Sequence, residues 1–284
     1  MNWKDPDLKN HSLNIKKLGF IGCGNMASAI IRGLVDHGFP ASHICASNPN
    51  PEKLEQLSIE AKIHTTINNQ EVVEFSDNLI LAVKPQVMPK VCQQIKELDL
   101  SDKLIISVAA GLTTGKITEY LNQNVSIIRA MPNTPATISK GATGLFANLC
   151  CSEEQKERAE SIFKVIGVTE WVDSETLIDV VTAISGSSPA YIFLFIESMV
   201  EQAVKSGLEQ SVARNLATQA VLGAAELAKS EIQTPLTQLR QNVTSPNGTT
   251  AAAIDSFEQN DFSNIIKQAV TAAIARGKEL GEQA

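Results

Sequence analysis

Two stretches of this 284-residue chain carry residue types at spacings that chemistry can use. The first is Leu18-Gly19-Phe20-Ile21-Gly22-Cys23-Gly24-Asn25-Met26-Ala27, an apolar run followed by G-x-G-x-x-A and then by helical spacing. In such a pattern Gly22 permits a tight turn, and Gly24 lets backbone approach a pyrophosphate. Ala27 takes the small third position, where helix packs on strand. The helix start then offers free N–H groups and a partial positive charge to phosphate oxygens. The second stretch runs from Leu239 through Asn242-Val243-Thr244-Ser245-Pro246-Asn247-Gly248-Thr249-Thr250 to Ile254. One helix ends there, a Pro/Asn/Gly turn follows, and a new helix starts near Thr249 or Thr250. Unpaired amides beside two hydroxyls make a compact seat for a carboxylate, and the same residues also read as a plain N-cap.

The ends of the other strand-like runs add detail to the first stretch. NAD enzymes place an Asp or Glu about 20 residues after the glycines to bind the ribose hydroxyls. Here that stretch is Cys45-Ala46-Ser47-Asn48-Pro49, neutral and polar. With no carboxylate to repel a 2′-phosphate, and with Ser47 and Asn48 able to bond it, NADP is favoured over NAD. Small residues in Leu81-Ala82-Val83-Lys84-Pro85 and Ser107-Val108-Ala109-Ala110-Gly111 leave room for ribose and nicotinamide. Lys84 either reaches a phosphate or ribose or is a solvated charge at a strand end. In Arg129-Ala130-Met131-Pro132-Asn133-Thr134-Pro135 two prolines restrict the backbone around Asn133 and Thr134, as suits a rigid loop lining a site, or a plain loop.

The elements that must position these groups follow from periodicity. Lys17–Ile21, Ile44–Ser47, Leu79–Val83, Leu104–Val108, Ser126–Ala130 and Ala142–Ala147 read as strands, with Lys62–Thr65 extended. Helical spacing falls on Ala27–His37, Glu52–Leu57, Asn69–Phe75, Val87–Leu98 and Thr113–Leu121. That alternation predicts an α/β Rossmann-type domain with a doubly wound parallel sheet, and with ligands outside the carboxyl ends of the strands. Composition shifts near Glu170–Thr176. Beyond it Leu177–Ser206, Ser211–Ser230, Pro235–Gln241, Thr249–Gln259 and Phe262–Leu280 carry helical patterning rich in Ala. The expected organisation is a flexible leader over 1–14, a dinucleotide-binding domain over 15–175, and an all-α domain over 176–284. Helices with such long apolar faces bury them against a second subunit, so the expected state is a dimer.

Composition excludes several classes. The chain is 43% hydrophobic and 19% charged with a net charge of −7, which is globular and weighs against broad nucleic-acid binding. Cys23, Cys45, Cys92, Cys150 and Cys151 are odd in number and scattered, and they form no ligand-spaced cluster with the four His. The expectation is small, mostly buried thiols, no disulfide framework and no metal. The polar first fourteen residues show no signal segment, which points to the cytoplasm. Ile178–Val200 is broken by Ser185-Gly186-Ser187-Ser188-Pro189 and carries Asp179 and Glu197, a poor membrane span.

Pro235 and Leu239 followed by Val243-Thr244-Ser245-Pro246-Asn247-Gly248-Thr249-Thr250 resemble the signature of pyrroline-5-carboxylate reductases. Phe20–Met26, Ala82–Pro85, Arg129–Pro135 and Ser185-Gly186-Ser187-Ser188-Pro189-Ala190-Tyr191 match in the same order, so the resemblance covers about residues 16 to 280. One departure is Asn247, where many members carry Gly; a left-handed backbone there accommodates it. The resemblance implies a Rossmann-type domain, an all-helical dimerisation domain, and NAD(P)H-dependent reduction of 1-pyrroline-5-carboxylate to L-proline. It implies that Gly22, Cys23, Gly24, Asn25, Met26, Asn48, Asn69, Ala82, Val83, Lys84, Pro85 and Ala110 contact NADPH, or NADH. It implies that Ser245, Gly248, Thr249 and Thr250 hold the substrate with Asn242 and Glu175 nearby, and that Thr250 is the residue at the ring nitrogen. In that family the helical domains of two subunits interlock near the active site, and five dimers form a ring in several members.

Two other readings are weighed beside it. A reductase of the β-hydroxyacid dehydrogenase kind would carry a catalytic Lys in its helical domain, whereas Lys205 and Lys229 look like solvated helix residues. A non-catalytic dinucleotide-binding sensor would be expected to lack the Thr249-Thr250 pair, which is intact.

Overall fold

Strand β1 (Leu18–Ile21) is buried over its whole length, because its aliphatic residues have neighbouring strands on both sides and helices above and below. The computed structural model describes residues 15–282, so the expected leader over 1–14 lies outside the described residues. Helix α1 (Asn25–Asp36) follows the glycine turn and buries Ala27, Ile30, Ile31 and Leu34 on the sheet. The alternation continues through β2 (Ile44–Ser47), α2 (Pro51–Ala61), β3 (His64–Thr66), α3 (Asn69–Phe75), β4 (Asn78–Leu81), α4 (Met88–Ile95), β5 (Leu104–Ser107), α5 (Thr114–Leu121) and β6 (Ser126–Met131). β7 (Gly141–Ala147), α6 (Glu153–Lys164) and β8 (Gly167–Trp171) complete an eight-stranded sheet of order 3-2-1-4-5-6-7-8.

Two features differ from the sequence expectation. The sheet is parallel from β3 to β6, but β7 pairs with β6 antiparallel, and β8 pairs parallel with β7. Only residues 132–140 join β6 to β7, too few for the dozen or more that a parallel crossover needs. The chain therefore turns back along the edge. Helix α6 and strand β8 were not read from the sequence at all. Helix α6 buries only Ala159, Ile162 and Phe163, so its apolar periodicity is weak; its signal is the Ser152/Gln155 capping box.

Helices follow: α7 (Leu177–Val181), a π-turn (Thr182–Gly186), α8 (Ser188–Lys205), α9 (Gln210–Ser230), α10 (Leu236–Asn242), α11 (Thr249–Gln259) and α12 (Phe262–Glu282). No strand follows Trp171 among the described residues. Residues up to Ser187 and from Ala273 onward form one unit, and Ser188–Ala272 form the other. Ile178 and Ala183 are buried, and Val181 fills the space over Gly144 on β7, so α7 and the π-turn pack with the sheet.

Helices α8, α10, α11 and α12 bury no residue, and α9 buries only Ala213 and Ala217. Phe193 and Leu194 are 65% and 64% exposed. One helical run, Leu177–Lys205, has the length and hydropathy of a membrane span, although the π-turn and Pro189 interrupt its regularity.

Candidate functional site

The end of β1 forms a cradle. Gly22 has φ +99°, and a Cβ there would stand 2.6 Å from the Ala82 carbonyl oxygen, so only glycine fits. Its N–H donates to the Ser47 carbonyl at 2.9 Å. Gly24 caps α1 with no side-chain bond, and a Cβ there would meet nothing within 4 Å. The first turn of α1, with Asn25 and Met26, is thus open to an anion approaching the backbone. Cys23 is buried inside the turn, its Sγ 3.4 Å from the Ser47 carbonyl. Burial, with Cys45 nearby, pushes its thiol up to about 12. It is protonated at neutral pH, a packing group rather than a nucleophile.

Beside this cradle lies a cleft of about 340 Å³ walled by Ile21, Ile67, Val83, Val87 and Val91, with Ser47, Asn69 and Gln94 among its polar groups. Ser47 Oγ donates to Asn69 Oδ1 at 2.6 Å, and Asn69 Nδ2 donates to Gln94 Oε1 at 2.6 Å. Asn69, expected at the cofactor, is therefore locked in one orientation. Asn48 is half-buried, and its Oδ1 accepts from the Asn50 N–H at 2.9 Å, an Asx-turn that starts α2. Ala82 and Val83 follow β4, while Lys84 is exposed and leads into the short turn Pro85–Val87. Ala110 precedes Gly111, whose φ is +78° and whose Cβ would lie 3.0 Å from the backbone nitrogen of Gly281 on the last helix. The sequence reading missed Ile67, Asn68, Gln70, Lys90 and Gln94, which also line the cleft. Ile67 and Asn68 precede α3, Gln70 lies on α3, and Lys90 and Gln94 lie on α4, far along the chain from the glycines, and no motif marks them.

Glu175 stands in the first unit, apart from the other expected substrate residues, which belong to the second. Its carboxylate accepts from the Thr114 N–H at 2.6 Å and the Thr114 hydroxyl at 3.0 Å, and Arg129 Nη1 lies 3.9 Å away. It holds the start of α5. Arg129 is 2% exposed and its Nη2 meets Asp179 at 2.9 Å. Asn133 uses both ends of its amide, donating to the Ser185 carbonyl at 2.9 Å and accepting from the Ala142 N–H at 2.8 Å. Asn133 thereby staples the loop after β6 to the π-turn.

Within the second unit the structure brings Ser245, Gly248, Thr249 and Thr250 into one exposed turn. Asn247 sits at φ +60°, the left-handed backbone its side chain tolerates, and the Gly248 N–H closes the turn on the Ser245 carbonyl at 3.0 Å. Gly248 is the N-cap of α11, with no side-chain cap. Thr249 and Thr250 are the first two helical residues, so neither is the capping hydroxyl that the sequence left open. Both hydroxyls and the first amides of α11 face outward without partners among the described residues. Asn242, at the end of α10, accepts from Gln238 Nε2 at 2.9 Å.

Comparison with known proteins matches both parts. Residues 175–280 match the family model described as pyrroline-5-carboxylate reductase dimerisation, and residues 17–111 match that of NADP oxidoreductase, coenzyme F420-dependent. The chain is 42% identical over 271 residues to the pyrroline-5-carboxylate reductase of Pseudomonas aeruginosa, covering 95% of this chain and 99% of that one. The Escherichia coli enzyme is 37% identical over 268 residues, covering 94% and 99%. A solved pyrroline-5-carboxylate reductase from Coxiella burnetii superposes with a TM-score of 0.89 at 42% identity, covering 94% of this chain and 99% of that one. That from Plasmodium falciparum, with NADP bound, gives 0.85 at 33%, covering 94% and 98%. Identity of this order along nearly the whole chain, with the dimerisation model matched over residues 175–280, displaces the hydroxyacid dehydrogenase and sensor readings: the chain belongs to the pyrroline-5-carboxylate reductase family.

Proposed function

We propose that this oxidoreductase reduces 1-pyrroline-5-carboxylate to L-proline, the last step of proline synthesis, with NADPH preferred over NADH. The observation that carries the reading is the open turn from Ser245 to Thr250, where outward amides and two unbonded hydroxyls meet at a helix start. The first unit fits a dinucleotide, because Gly22 leaves space that a Cβ would fill, and the start of α1 lacks a side-chain cap. When bound, the reduced nicotinamide supplies hydride to the imine carbon. Gly22 to Met26 hold the pyrophosphate; Asn48, Asn69, Ala82 to Pro85 and Ala110 hold the rest of the cofactor.

The substrate's carboxylate sits on the free amides of Thr249 and Thr250, with the Ser245 and Thr249 hydroxyls beside it, while the Gly248 N–H stays on the Ser245 carbonyl. The Thr250 hydroxyl hydrogen-bonds the ring nitrogen and fixes which ring face meets the cofactor. A protonated imine arrives with the proton that the product amine keeps, so the residues must orient rather than acidify. Glu175, which the resemblance sets near the substrate, also holds the start of α5. NADPH oxidation by purified protein with racemic 1-pyrroline-5-carboxylate tests the reading, and no turnover would refute it.

The carboxylate-free end of β2 supports NADPH. Asn48→Asp keeps the Asx-turn acceptor and places a negative charge beside the 2′ position, so the kcat/KM ratio of NADPH to NADH falls. An unchanged ratio would remove Asn48 from that position.

The protein is oligomeric through its helical part, and we read the basic unit as a homodimer, with a ring of five dimers as the larger assembly. The exposed Phe193 and Leu194 fit burial against a second copy rather than in lipid. Light scattering at low micromolar concentration is expected to give a multiple of 30.6 kDa, and a clean monomer would overturn the dimer. Free thiols at Cys23, Cys45, Cys92, Cys150 and Cys151 fit a reducing, cytoplasmic setting.

A further inference from the structure

We propose that Asn247, in the turn before α11, is a self-modification site whose conversion to aspartate or isoaspartate closes the substrate seat; the effect on the seat rests on the reading of that turn given above. Asn247 is followed by Gly248, the one Asn-Gly pair in the chain. An asparagine side chain is long enough to close a ring on the next backbone nitrogen, and a glycine there leaves that nitrogen unhindered. The Gly248 nitrogen attacks Asn247 Cγ and a new N–C bond forms. The Cγ–Nδ2 bond breaks, and Nδ2 leaves as ammonia with the proton that the backbone nitrogen gives up. Water then opens the resulting succinimide at either carbonyl, giving aspartate or isoaspartate. The sum is asparagine plus water to aspartate plus ammonia, with no change of oxidation state.

The surroundings select this asparagine. Asn247 is exposed, and its side-chain amide has no hydrogen-bond partner among the described residues. Asn48, Asn69 and Asn133 are each held by hydrogen bonds, and each is followed by a bulkier residue. What restrains ring closure at Asn247 is the bond from the Gly248 N–H to the Ser245 carbonyl at 3.0 Å, a turn bond at an exposed tip, where local opening is cheap.

The product changes the field at the seat. Gly248 is the N-cap of α11, so a carboxylate on residue 247 stands at the start of that helix. The helix dipole favours a negative charge there, and the same field draws the substrate's carboxylate. Modification thus supplies an internal anion that repels the incoming one. The left-handed backbone at φ +60° suits aspartate as it suits asparagine, so the aspartate form keeps the turn. Isoaspartate lengthens the main chain by a methylene and displaces Gly248.

The test incubates the full chain in warm, mildly alkaline buffer and follows peptide masses, steady-state kinetics and thermal unfolding on the same samples. The peptide holding Asn247 is expected to gain about one dalton and to resolve into aspartate and isoaspartate forms, with the other asparagines converting more slowly. The kcat/KM for 1-pyrroline-5-carboxylate should fall in step with that conversion, and Asn247→Gly should lose no activity over the same interval. Asn247→Asp, made directly, should raise the substrate KM about tenfold, with NADPH affinity kept and an unfolding midpoint no lower than that of the wild type. A merely structural role would lower the midpoint and leave KM alone. No mass gain at Asn247, or a faster gain at another asparagine, would overturn the site. An Asn247→Asp enzyme with the wild-type KM would overturn its link to the substrate seat. Fresh wild-type protein without turnover would refute the reaction reading and leave the mass gain standing.

Discussion

Thr250→Val lowers kcat/KM for 1-pyrroline-5-carboxylate by about ten- to a hundredfold, the kinetic equivalent of one lost hydrogen bond of roughly 1.5–3 kcal/mol. The substitution keeps the side-chain volume and deletes only the hydroxyl. Because Gly248 is the N-cap of α11 and Thr250 the second helical residue, the change removes no cap. A lost cap would cost about 1 kcal/mol of stability, so the unfolding midpoint should hardly move. NADPH affinity should also hold, since the glycine cradle belongs to the first unit. Steady-state kinetics, thermal unfolding and cofactor binding on one preparation separate these effects. A variant with full kcat/KM would remove Thr250 from the ring nitrogen.

Arg129→Ala is expected to destabilise the first unit by about 2–4 kcal/mol, because it empties a buried guanidinium site and leaves two half-buried carboxylates without their cation. Arg129 is almost wholly buried on β6, and its guanidinium stands between Asp179 on α7 and Glu175 just before it. Glu175 in turn holds the Thr114 N–H and hydroxyl at the start of α5. Deleting the cation leaves Asp179 and Glu175 as two half-buried like charges without their shared partner, and loosens both α7 and the loop after β5. Urea denaturation of the wild type, Arg129→Ala and Asp179→Asn measures the effect. The Asp179→Asn loss should be the smaller, since an amide still accepts one bond. A loss below about 1 kcal/mol in Arg129→Ala would show that the pair is not holding α7 to the sheet.

Much of the site was legible locally. Gly22, Gly24 and Ala27 announce the cradle because a positive φ, an open backbone and a close helix contact each demand a small residue at a fixed offset. The bounds of β2, α3 and α11 follow from the same short-range rules, as does the left-handed Asn247. Even the exposed helices announced themselves, since a face that stays apolar over four turns needs a partner.

What tertiary structure alone decided lies in pairings between distant residues. Helix α6 carries too few apolar positions to stand out, and β8 alternates weakly at an edge, so both depend on the sheet already present. The reversal of β7 comes from the shortness of 132–140 once β6 is in place. No local pattern announces that the Glu175 carboxylate engages Thr114, 61 residues away, and lies near the buried Arg129. Arg32 and Glu60, on neighbouring helices, pair only once the sheet sets α1 beside α2. Residue type and spacing specify backbone conformation and hydrophobic faces, because those depend on near neighbours. Which charges are neutralised and which remain free for a ligand depends on neighbours that only the folded chain brings together.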